Sequence, residues 1–313
     1  MRPSRARAPS LHPDRIPVLD AVWHAVARSI AHAVGRPCEA QQANPVSGGC
    51  INQGYRLQAG GRDFFVKLNA ASTLPMFEAE VASLEALAAT RTVRVPRPIC
   101  TGRDAERAWL TLEYLPLSPA RPRAMALLGE QLAAMHRVTQ GQFGWTRDNT
   151  IGSTPQVNQQ ESDWCDFWGR HRLAYQLELA YRNGHCGALR DRGQMLLERL
   201  PQLLGSHRPV ASLLHGDLWT GNAAMSADGE PVIFDPAVYY GDREADLAMT
   251  NLFGGFPPEF YRAYQHAWPL EPGHRERREL YNLYHVLNHL NLFGAGYLRR
   301  AQDMIDRLLA ACR

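Results

Sequence analysis

The sequence predicts an α+β protein of two lobes, a small β-rich N-lobe and a larger, mostly helical C-lobe. An alternating β pattern comes early in the chain, and helical patterns dominate the later part. At 313 residues with 45% hydrophobic side chains, the chain is long enough to bury one or two sizeable cores. We expect a flexible basic tail at 1–18, the N-lobe at 19–115 and the C-lobe at 116–313.

Charge and cysteine content restrict the partners. Four arginines of the tail account for more than the formal net charge of +3, so the folded part is close to neutral and a nucleic-acid partner is not expected. Signal-peptide and membrane-spanning patterns are missing from the sequence, so no membrane partner is expected either. The six cysteines show no C-x-x-C spacing, which favours a reduced, cytoplasmic location.

The N-lobe begins with a helix and continues as a β-hairpin. Val22, Val26, Ile30 and Val34 recur every four residues and predict an amphipathic helix that ends near Gly35. Two alternating strands then flank Gly60-Gly61, which supplies the turn of a hairpin.

Lys67 lies in the second strand of this hairpin, on the face opposite the apolar side chains. A solvated lysine on an edge strand is the ordinary alternative. The following helix, however, carries Glu80 on the same stripe as Leu84 and Leu87, where a buried carboxylate needs a partner. We therefore expect a Lys67–Glu80 pair that orients the ammonium onto nucleotide phosphates, with Glu78 ranked second for this role.

A glycine pair, Gly48-Gly49, precedes the hairpin and can let backbone amides approach phosphate oxygens closely. Taken alone, such a pair is a weak signal, since it more often marks a simple turn. Cys50 follows directly. It is either an inert small residue or an exposed thiol whose oxidation switches nucleotide access and joins two chains in a redox-dependent homodimer.

The segment after the hairpin predicts a hinge between the lobes. Val95–Pro98 reads as an extended connector, and 108–112 reads as a strand that runs into a proline-containing turn. Backbone groups of this hinge, taken at Glu113 and Leu115, are candidates for binding adenine. The sequence does not decide which groups do so.

The C-lobe shows several helical segments with polar residues inside them. A helix from Arg123 ends at His136, which we interpret as a packed helix-end residue, and 164–178 is helical as well. Asp246 lies one turn into an acidic helix start, where it can hydrogen-bond the catalytic loop. His285 and His289 lie four residues apart in an apolar helix at 281–297; without H-E-x-x-H or a third ligand, core packing is favoured over metal binding.

The strongest motif predicts a phosphotransfer centre. Asp217 in H-G-D-L-W-T-G-N is placed as the carboxylate beside an acceptor hydroxyl. Asn222, five residues later, and Asp235, at the end of an apolar strand, offer the hard oxygen ligands that Mg²⁺ prefers. Protein kinases have an arginine at Gly216 and Phe-Gly after the metal-binding aspartate, so this chain departs from them.

From 47 to its end, the chain resembles the fructosamine kinase (ketosamine kinase) family, within the wider aminoglycoside phosphotransferase and choline kinase-like group. H-G-D-x-x-x-x-N identifies only the wider group, whereas Trp219, the Q-V-N motif and F-G-G-F-P narrow the resemblance to fructosamine kinases. The segments that carry the resemblance are 48–52, 65–67, 76–84, 95–98, 155–158, 215–222, 235–237 and 253–257.

The resemblance implies a protein-kinase-like fold and the ATP-dependent phosphorylation of ketosamines at the third carbon of the sugar. This reaction destabilises the adduct and so repairs glycated amines. The implied partners are ketosamine small molecules or glycated protein lysines, and the implied cofactors are ATP and Mg²⁺. The resemblance implies that Lys67 and Glu80 position the phosphates, that Asp217 is the catalytic base, and that Asn222 and Asp235 bind Mg²⁺. The chain does not depart from the family at these five positions.

The acceptor side is less well defined by the sequence. Trp219, Asn158, Trp164 and His289 are the candidates, with Trp219 first, because an aromatic face suits a sugar and its amine. Two other functions stay open: a phosphotransferase for another hydroxylated amine such as an aminoglycoside or choline, and a redox-responsive nucleotide-binding regulator that acts through Cys50. The intact Asp217, Asn222 and Asp235 set argues against the regulator.

Overall fold

The structure, a computed structural model, describes residues 21–46 and 51–312. The predicted tail at 1–18 lies outside these ranges, as do Gly48, Gly49 and Cys50. What the sequence predicts for them therefore stays a prediction.

Five strands form an antiparallel sheet in the N-terminal part: β1 (Ala40–Val46), β2 (Gln53–Ala59), β3 (Arg62–Ala70), β4 (Pro98–Arg103) and β5 (Arg107–Glu113). Their spatial order is β1-β2-β3-β5-β4. β2 and β3 flank Gly60-Gly61 and confirm the predicted hairpin, and β5 confirms the strand expected before the hinge.

The two edge strands were not predicted. β1 has the sequence AQQANPV and buries none of its side chains fully, so it lacks the alternating apolar pattern that marks a half-buried strand. β4 begins at Pro98 and also has no fully buried side chain. Both lie at the sheet's edges, where proline and polar residues are tolerated.

Two helices cover the two faces of this sheet. α1 (Ala21–Val34), at its predicted position, packs Val26 and Ile30 against Val66 of β3. α2 (Leu74–Ala89) buries Leu84 and Leu87 against the other face, which confirms the predicted stripe. The face under α2 is the one that carries Lys67, because side chains alternate along β3.

Eight helices account for most of the C-terminal part: α3 (Pro122–His136), α4 (Trp164–Trp168), α5 (Tyr175–Arg182), α6 (Ala188–Leu204), α7 (Arg243–Leu252), α8 (Pro258–Ala267), α9 (His274–Phe293) and α10 (Leu298–Ala311). A π-helical segment, Gly169–Ala174, joins α4 to α5, so the helix predicted at 164–178 is continuous. α9 starts earlier than the predicted 281 and stops at Phe293, because Gly294 adopts a positive φ of 88°.

Short antiparallel strands connect these helices: β6 (Leu117–Ser118), β7 (Thr139–Gln140), β8 (Asn149–Ile151), β9 (Thr154–Gln156), β10 (Ala211–Leu214), β11 (Ala223–Ser226), β12 (Pro231–Ile233) and β13 (Tyr239–Gly241). They form the sheets β13-β10-β7 and β12-β11-β6 and the hairpin β8-β9. The chain leaves β10 at the predicted catalytic loop and leaves β12 just before Asp235.

One apolar core joins the sheet to the helical part. Leu110 of β5 and Leu84 of α2 share it with Leu128 of α3, Leu213 of β10 and Ile233 of β12. This shared core brings the segments after β10 and β12 under the face of β3 that carries Lys67. The predicted architecture of a small β-rich lobe and a larger helical lobe is confirmed.

Among the described residues, none of the helices has both the length and the apolar character needed to cross a membrane. The described cysteines are Cys38, Cys100, Cys165, Cys186 and Cys312, and all five are free thiols. Cys50 lies outside the described ranges. The structure therefore gives no support to the predicted homodimer through Cys50.

Candidate active site

The predicted catalytic loop, which follows β10, is held in place by hydrogen bonds to a buried carboxylate. Asp246, in the first turn of α7, accepts hydrogen bonds from the backbone amides of His215 (2.7 Å) and Gly216 (2.8 Å). His136, fully buried at the end of α3, contacts the same carboxylate through Nε2 at 3.1 Å. The predicted contact of Asp246 with this loop and the predicted packing of His136 are both confirmed.

His215 and Gly216 tie the loop to the segment after β12. Nδ1 of His215 accepts from the amide of Asp217 at 3.2 Å, so Nε2 carries the proton and donates to the Phe234 carbonyl at 3.0 Å. Burial lowers the pKa of His215, consistent with a neutral ring. Gly216 has a φ of +83°, and a Cβ there would overlap the carbonyl oxygen of Ala237, so glycine is required.

Asp217 lines the cleft beside Asn222. The Nδ2 group of Asn222 donates to the backbone carbonyl of Asp217 at 2.9 Å and to its Oδ2 at 3.3 Å. Burial, with a smaller contribution from the nearby charge of Asp235, raises the pKa of Asp217 to about 7. A carboxyl group with this pKa is well matched to accepting a proton near neutral pH.

Lys67 contacts its predicted partner Glu80 and also Asp235, a contact that was not predicted. Its ammonium lies 2.5 Å from Glu80 and 2.7 Å from Asp235, although the residue is only 6% exposed. Burial alone would lower the pKa of Lys67, but the two carboxylates outweigh it and raise the pKa, so the ammonium stays charged. Glu78 is exposed, which confirms that Glu80 is the partner.

Asp235 adopts the left-handed backbone conformation, with a φ of +56°. Non-glycine residues rarely do so, and such strain is concentrated at functional sites. The conformation turns the chain directly after β12, and Oδ1 of Asp235 contacts Lys67 while its side chain stays 42% exposed. The carboxylate is thus held on one side and open on the other.

The donor set fits a magnesium ion. Because Nδ2 of Asn222 faces Asp217, its Oδ1 points the other way and accepts no hydrogen bond from any of the described residues. Asp235 contributes an accessible carboxylate at the same cleft. An amide oxygen and a carboxylate oxygen are ligands that Mg²⁺ prefers, together with phosphate and water.

A cleft of about 560 Å³ joins these groups to an aromatic surface. Trp219 and His289, two of the predicted acceptor residues, line it. Phe253 lies between them, with its ring centroid 6.1 Å from that of Trp219 and 4.6 Å from that of His289. Sequence reasoning missed Phe253 as a site residue, although it begins the F-G-G-F-P motif. Phe293 and Tyr297 also line the cleft. The sequence shows them only as part of an apolar helix and does not mark them as site residues.

The other predicted site residues lie elsewhere. Asn158 is 1% exposed and holds Asn149 and Arg172 by hydrogen bonds, and Trp164 is 4% exposed and donates to Tyr281 at 3.0 Å. Neither lines the cleft, so their predicted place on the acceptor side is corrected to the interior of the C-terminal part.

The hinge residues Glu113 and Leu115 are also outside the lining of this cleft. Glu113 ends β5, and its side chain accepts from the backbone amide of Arg97 at 2.9 Å. Its carboxylate is therefore occupied by this contact.

A second group of buried ionisable side chains lies away from the cleft, and we call it the Arg277 cluster: His207, Asp242, Glu244, Arg277 and Tyr281. His207, Asp242 and Glu244 are close enough together to suggest a metal site. However, Arg277 binds both oxygens of Glu244 at 2.7 Å, and Asp242 accepts from His207 and Tyr281. A cation is already built into this cluster, so its role is structural.

The β-rich lobe with its Lys–Glu pair and the helical lobe with its Asp, Asn and Asp define a protein-kinase-like phosphotransferase. The profile of the fructosamine kinase family matches residues 22–311. The chain belongs to this family, and the resemblance seen in the sequence is confirmed.

Individual relatives agree with this assignment. The chain is 50% identical over 290 residues to a "Probable ketoamine kinase" of Synechocystis sp., covering 92% of this chain and 97% of the relative. It is 40% identical to the chloroplastic protein-ribulosamine 3-kinase of Oryza sativa subsp. indica, covering 98% and 91%. A candidate fructosamine-3-kinase structure from Haemophilus somnus 129PT superposes with a TM-score of 0.84 at 29% identity, covering 91% and 96%.

Proposed function

We propose that this protein transfers the γ-phosphoryl group of ATP to the 3-hydroxyl of ketosamines such as fructosamines or ribulosamines. The names of its relatives support the substrate class. The observation that carries the proposal is a single cleft lined by Asp217, Lys67 and Asp235 and by the aromatic residues Trp219 and His289. Phosphotransfer groups and a sugar-binding surface thus meet in one space.

Asp217 is proposed as the catalytic base. The acceptor hydroxyl passes its proton to this carboxylate while its oxygen forms a bond to the γ-phosphorus, the bond to the β–γ bridging oxygen breaks, and ADP leaves. The Asp217 pKa of about 7 supports this role. Asn222 fixes the carboxylate by donating to Oδ2, which leaves Oδ1 for the acceptor.

Lys67 and Glu80 are proposed to orient the nucleotide phosphates, with Glu80 holding the ammonium in place. Backbone groups at Glu113 and Leu115 are proposed to bind adenine, and Gly48 and Gly49 are proposed to cover the phosphates. The glycine proposal rests on the sequence alone, because these residues lie outside the described ranges.

Asn222 and Asp235 are proposed to hold Mg²⁺ through Oδ1 of the amide and the accessible side of the carboxylate. When bound there, magnesium would bridge the phosphate oxygens and offset the charge that develops on them. Lys67 contributes a fixed positive charge from the opposite side of Asp235.

The acceptor surface is proposed to be the aromatic side of the cleft. Trp219 offers a face for the sugar, and His289 lies between the rings of Phe253, Phe293 and Tyr297 at centroid distances of 4.6–5.3 Å. Aromatic faces attract the cationic amine of a ketosamine. Acceptors would be ketosamine small molecules or glycated protein lysines, and phosphorylation would release the amine in a deglycation reaction.

We further propose a lobe boundary and a cellular location. The lobe boundary is proposed at 115/116, directly after the hinge residues. A reduced, cytoplasmic location remains supported by the free state of the described cysteines.

Purified, reduced protein with ATP and Mg²⁺ tests the activity against ribulosamine, fructosamine, choline and an aminoglycoside. Turnover on the ketosamines alone is expected, and the Asp217→Asn variant should lose it. Turnover restricted to choline or the aminoglycoside would move the protein to the wider group of phosphotransferases. ATP binding without transfer to any of the four would instead support a nucleotide-binding regulator.

A further inference from the structure

The β8–β9 hairpin lies between the cleft and the interior of the C-terminal part. Asn149, Thr150, Ile151 and Gly152 line the cleft. Asn149 also lies opposite Gln156 in the strand register, and the two residues are 7% and 1% exposed. Buried amide side chains are costly unless they are hydrogen-bonded, so their partners indicate what the hairpin is built to hold.

Gln156 forms hydrogen bonds with the segment that follows Asp235 and with helix α9. Its Nε2 donates to the carbonyl of Ala237 at 3.1 Å and to Oδ1 of Asn149 at 2.8 Å. Its Oε1 accepts from the hydroxyl of Tyr284 in α9 at 2.7 Å. The Ala237 carbonyl can only accept, which fixes the orientation of the amide.

Asn149 holds the next carbonyl in the same way, by donating from Nδ2 to Val238 at 2.8 Å. Its orientation is set by a chain of donors that starts at the buried guanidinium of Arg172. Arg172 donates to Oδ1 of Asn158 at 2.7 Å, and Nδ2 of Asn158 then donates to Oδ1 of Asn149 at 3.0 Å. Because arginine has no acceptor, each amide in this series is oriented in one way only.

Ala237 connects this network to the chemistry. Its amide donates to the carbonyl of His215 at 2.8 Å, and its carbonyl lies against Gly216 in the catalytic loop. It is also two residues from Asp235, whose strained conformation needs support from its surroundings. The hairpin therefore holds the metal-binding segment against the loop that carries Asp217.

We propose that Gln156 is a positioning residue that fixes Asp235 for Mg²⁺ and the nucleotide by holding the Ala237 carbonyl. The inference rests on the proposed use of Mg²⁺–ATP. It makes the hairpin a shared support, since the same short element lines the cleft and holds the segment that follows Asp235. Partners that orient metal ligands commonly influence metal affinity and activity by about 10–100-fold.

The test compares Gln156→Met with Tyr284→Phe. Gln156→Met keeps the approximate size of the side chain and removes its donor to Ala237 and Asn149 together with its acceptor for Tyr284. Tyr284→Phe removes the hydroxyl on the other side of the same amide and leaves that donor in place. For Gln156→Met, we expect the Mg²⁺ concentration needed for half-maximal ATP binding to rise about tenfold and kcat to fall by about the same factor. Tyr284→Phe should lower the melting temperature but leave both quantities near wild type.

ATP binding is measured by calorimetry at several Mg²⁺ concentrations, without any acceptor. Absence of ketosamine turnover by the wild-type protein would overturn the proposed function. The Mg²⁺ dependence of ATP binding tests the role of Gln156 independently of turnover. Unchanged Mg²⁺ dependence in folded Gln156→Met would overturn the inference, as would an equal defect in Tyr284→Phe.

A second variant, Gln156→Glu, tests the same inference if Gln156→Met folds poorly. It keeps an acceptor for Tyr284 but has no donor for Ala237 when ionised, so the same rise in the Mg²⁺ requirement is expected. If both Gln156 variants fail to fold while Tyr284→Phe folds, the residue is structural rather than positioning and the inference is wrong.

Discussion

Two groups of acidic residues in the described C-terminal part differ in how their oxygens are used. In the Arg277 cluster, Glu244 forms a two-bond pair with Arg277, and Asp242 accepts from His207, Tyr281 and the amide of Glu244. In the active site, Asp217 receives a side-chain hydrogen bond only from Asn222 among the described residues, and Asn222 keeps Oδ1 open.

The pKa values of Asp217 and Asp242 follow this difference. Burial acts to raise the pKa of both Asp217 and Asp242, yet only Asp217 ends above its ordinary value, at about 7. For Asp242, hydrogen bonds from His207 and Tyr281 more than offset burial and lower the pKa. Burial also raises the pKa of Glu244, although Arg277 binds both of its oxygens. The two groups therefore differ in how their oxygens are paired rather than in the direction of every pKa shift.

The largest effect is expected from removing the charge of the active-site acid. Asp217→Asn keeps the shape of the side chain but cannot accept the proton, so kcat should fall roughly 10²–10⁴-fold while ATP binding and melting temperature are retained. Steady-state kinetics and calorimetry measure this. The control is Asp228→Asn, an exposed carboxylate in the same region, which should leave kcat unchanged. Equal activity of the two variants would contradict the assignment of Asp217 as base.

The opposite outcome is expected for the Arg277 cluster. Arg277→Met leaves Glu244 buried without its cation, which should cost about 3–5 kcal/mol of unfolding free energy, while the folded fraction keeps its kcat. Denaturant unfolding measures the loss. Arg307→Met is the control, since Arg307 pairs with Glu279 at a largely exposed site and should cost about 1 kcal/mol or less. A kinetic defect in folded Arg277→Met would show that the cluster is not purely structural.

The sequence predicts the active-site half of this comparison far better than the structural half. Lys67, Glu80, Asp217, Asn222 and Asp235 could be placed because each stands in a local pattern: a strand alternation, a helical stripe or a short motif. Their chemistry also demands particular residue types at a fixed spacing. The predicted Lys67–Glu80 pair is present in the structure, and Asp217, Asn222 and Asp235 line the same cleft as Lys67.

Contacts between distant segments could not be predicted in this way. Glu244 and Arg277 are 33 residues apart, and Gln156 and Ala237 are 81 apart, with no periodic pattern linking them. Trp164 and Asn158 were misplaced for the same reason: their residue types suit a binding surface, but only the tertiary packing reveals that they are buried. The edge strands β1 and β4 have no fully buried side chain, so neither shows the alternation of buried and exposed positions on which a sequence prediction depends.

A smaller effect on the active site is expected from Lys67→Ala. The variant removes a buried ammonium that is proposed to contact phosphate, so kcat/KM for ATP should fall about tenfold or more, as for loss of a charged hydrogen bond. KM for the ketosamine should change little, because Lys67 is not proposed to contact the acceptor. Kinetics with ATP and ketosamine varied separately distinguish the two. A rise confined to the ketosamine KM would place Lys67 on the acceptor side instead.

The smallest effect is expected on the pH dependence of the unfolding free energy, through His207 and Asp242 of the Arg277 cluster. Burial acts to lower the pKa of His207, but Asp242 outweighs it, and the folded-state pKa is raised. The stabilisation from His207 is therefore complete below its unfolded pKa of about 6.5 and is lost as pH rises through the higher folded value. Asp242 has a lowered pKa, so its contribution is present above about 3.9 and is lost as pH falls through the lower folded value.

The two shifts together define a window in which the pair is strongest, between about pH 4 and about pH 6.5. We expect His207→Gln to be less stable than wild type at about pH 5.5 and the difference to shrink as pH rises through the raised folded-state pKa of His207. Denaturant unfolding of both proteins across this range measures it. A difference that stays constant with pH would mean that His207 stabilises the cluster by packing alone, and the contrast with Asp217 would then rest on hydrogen bonds rather than on charge.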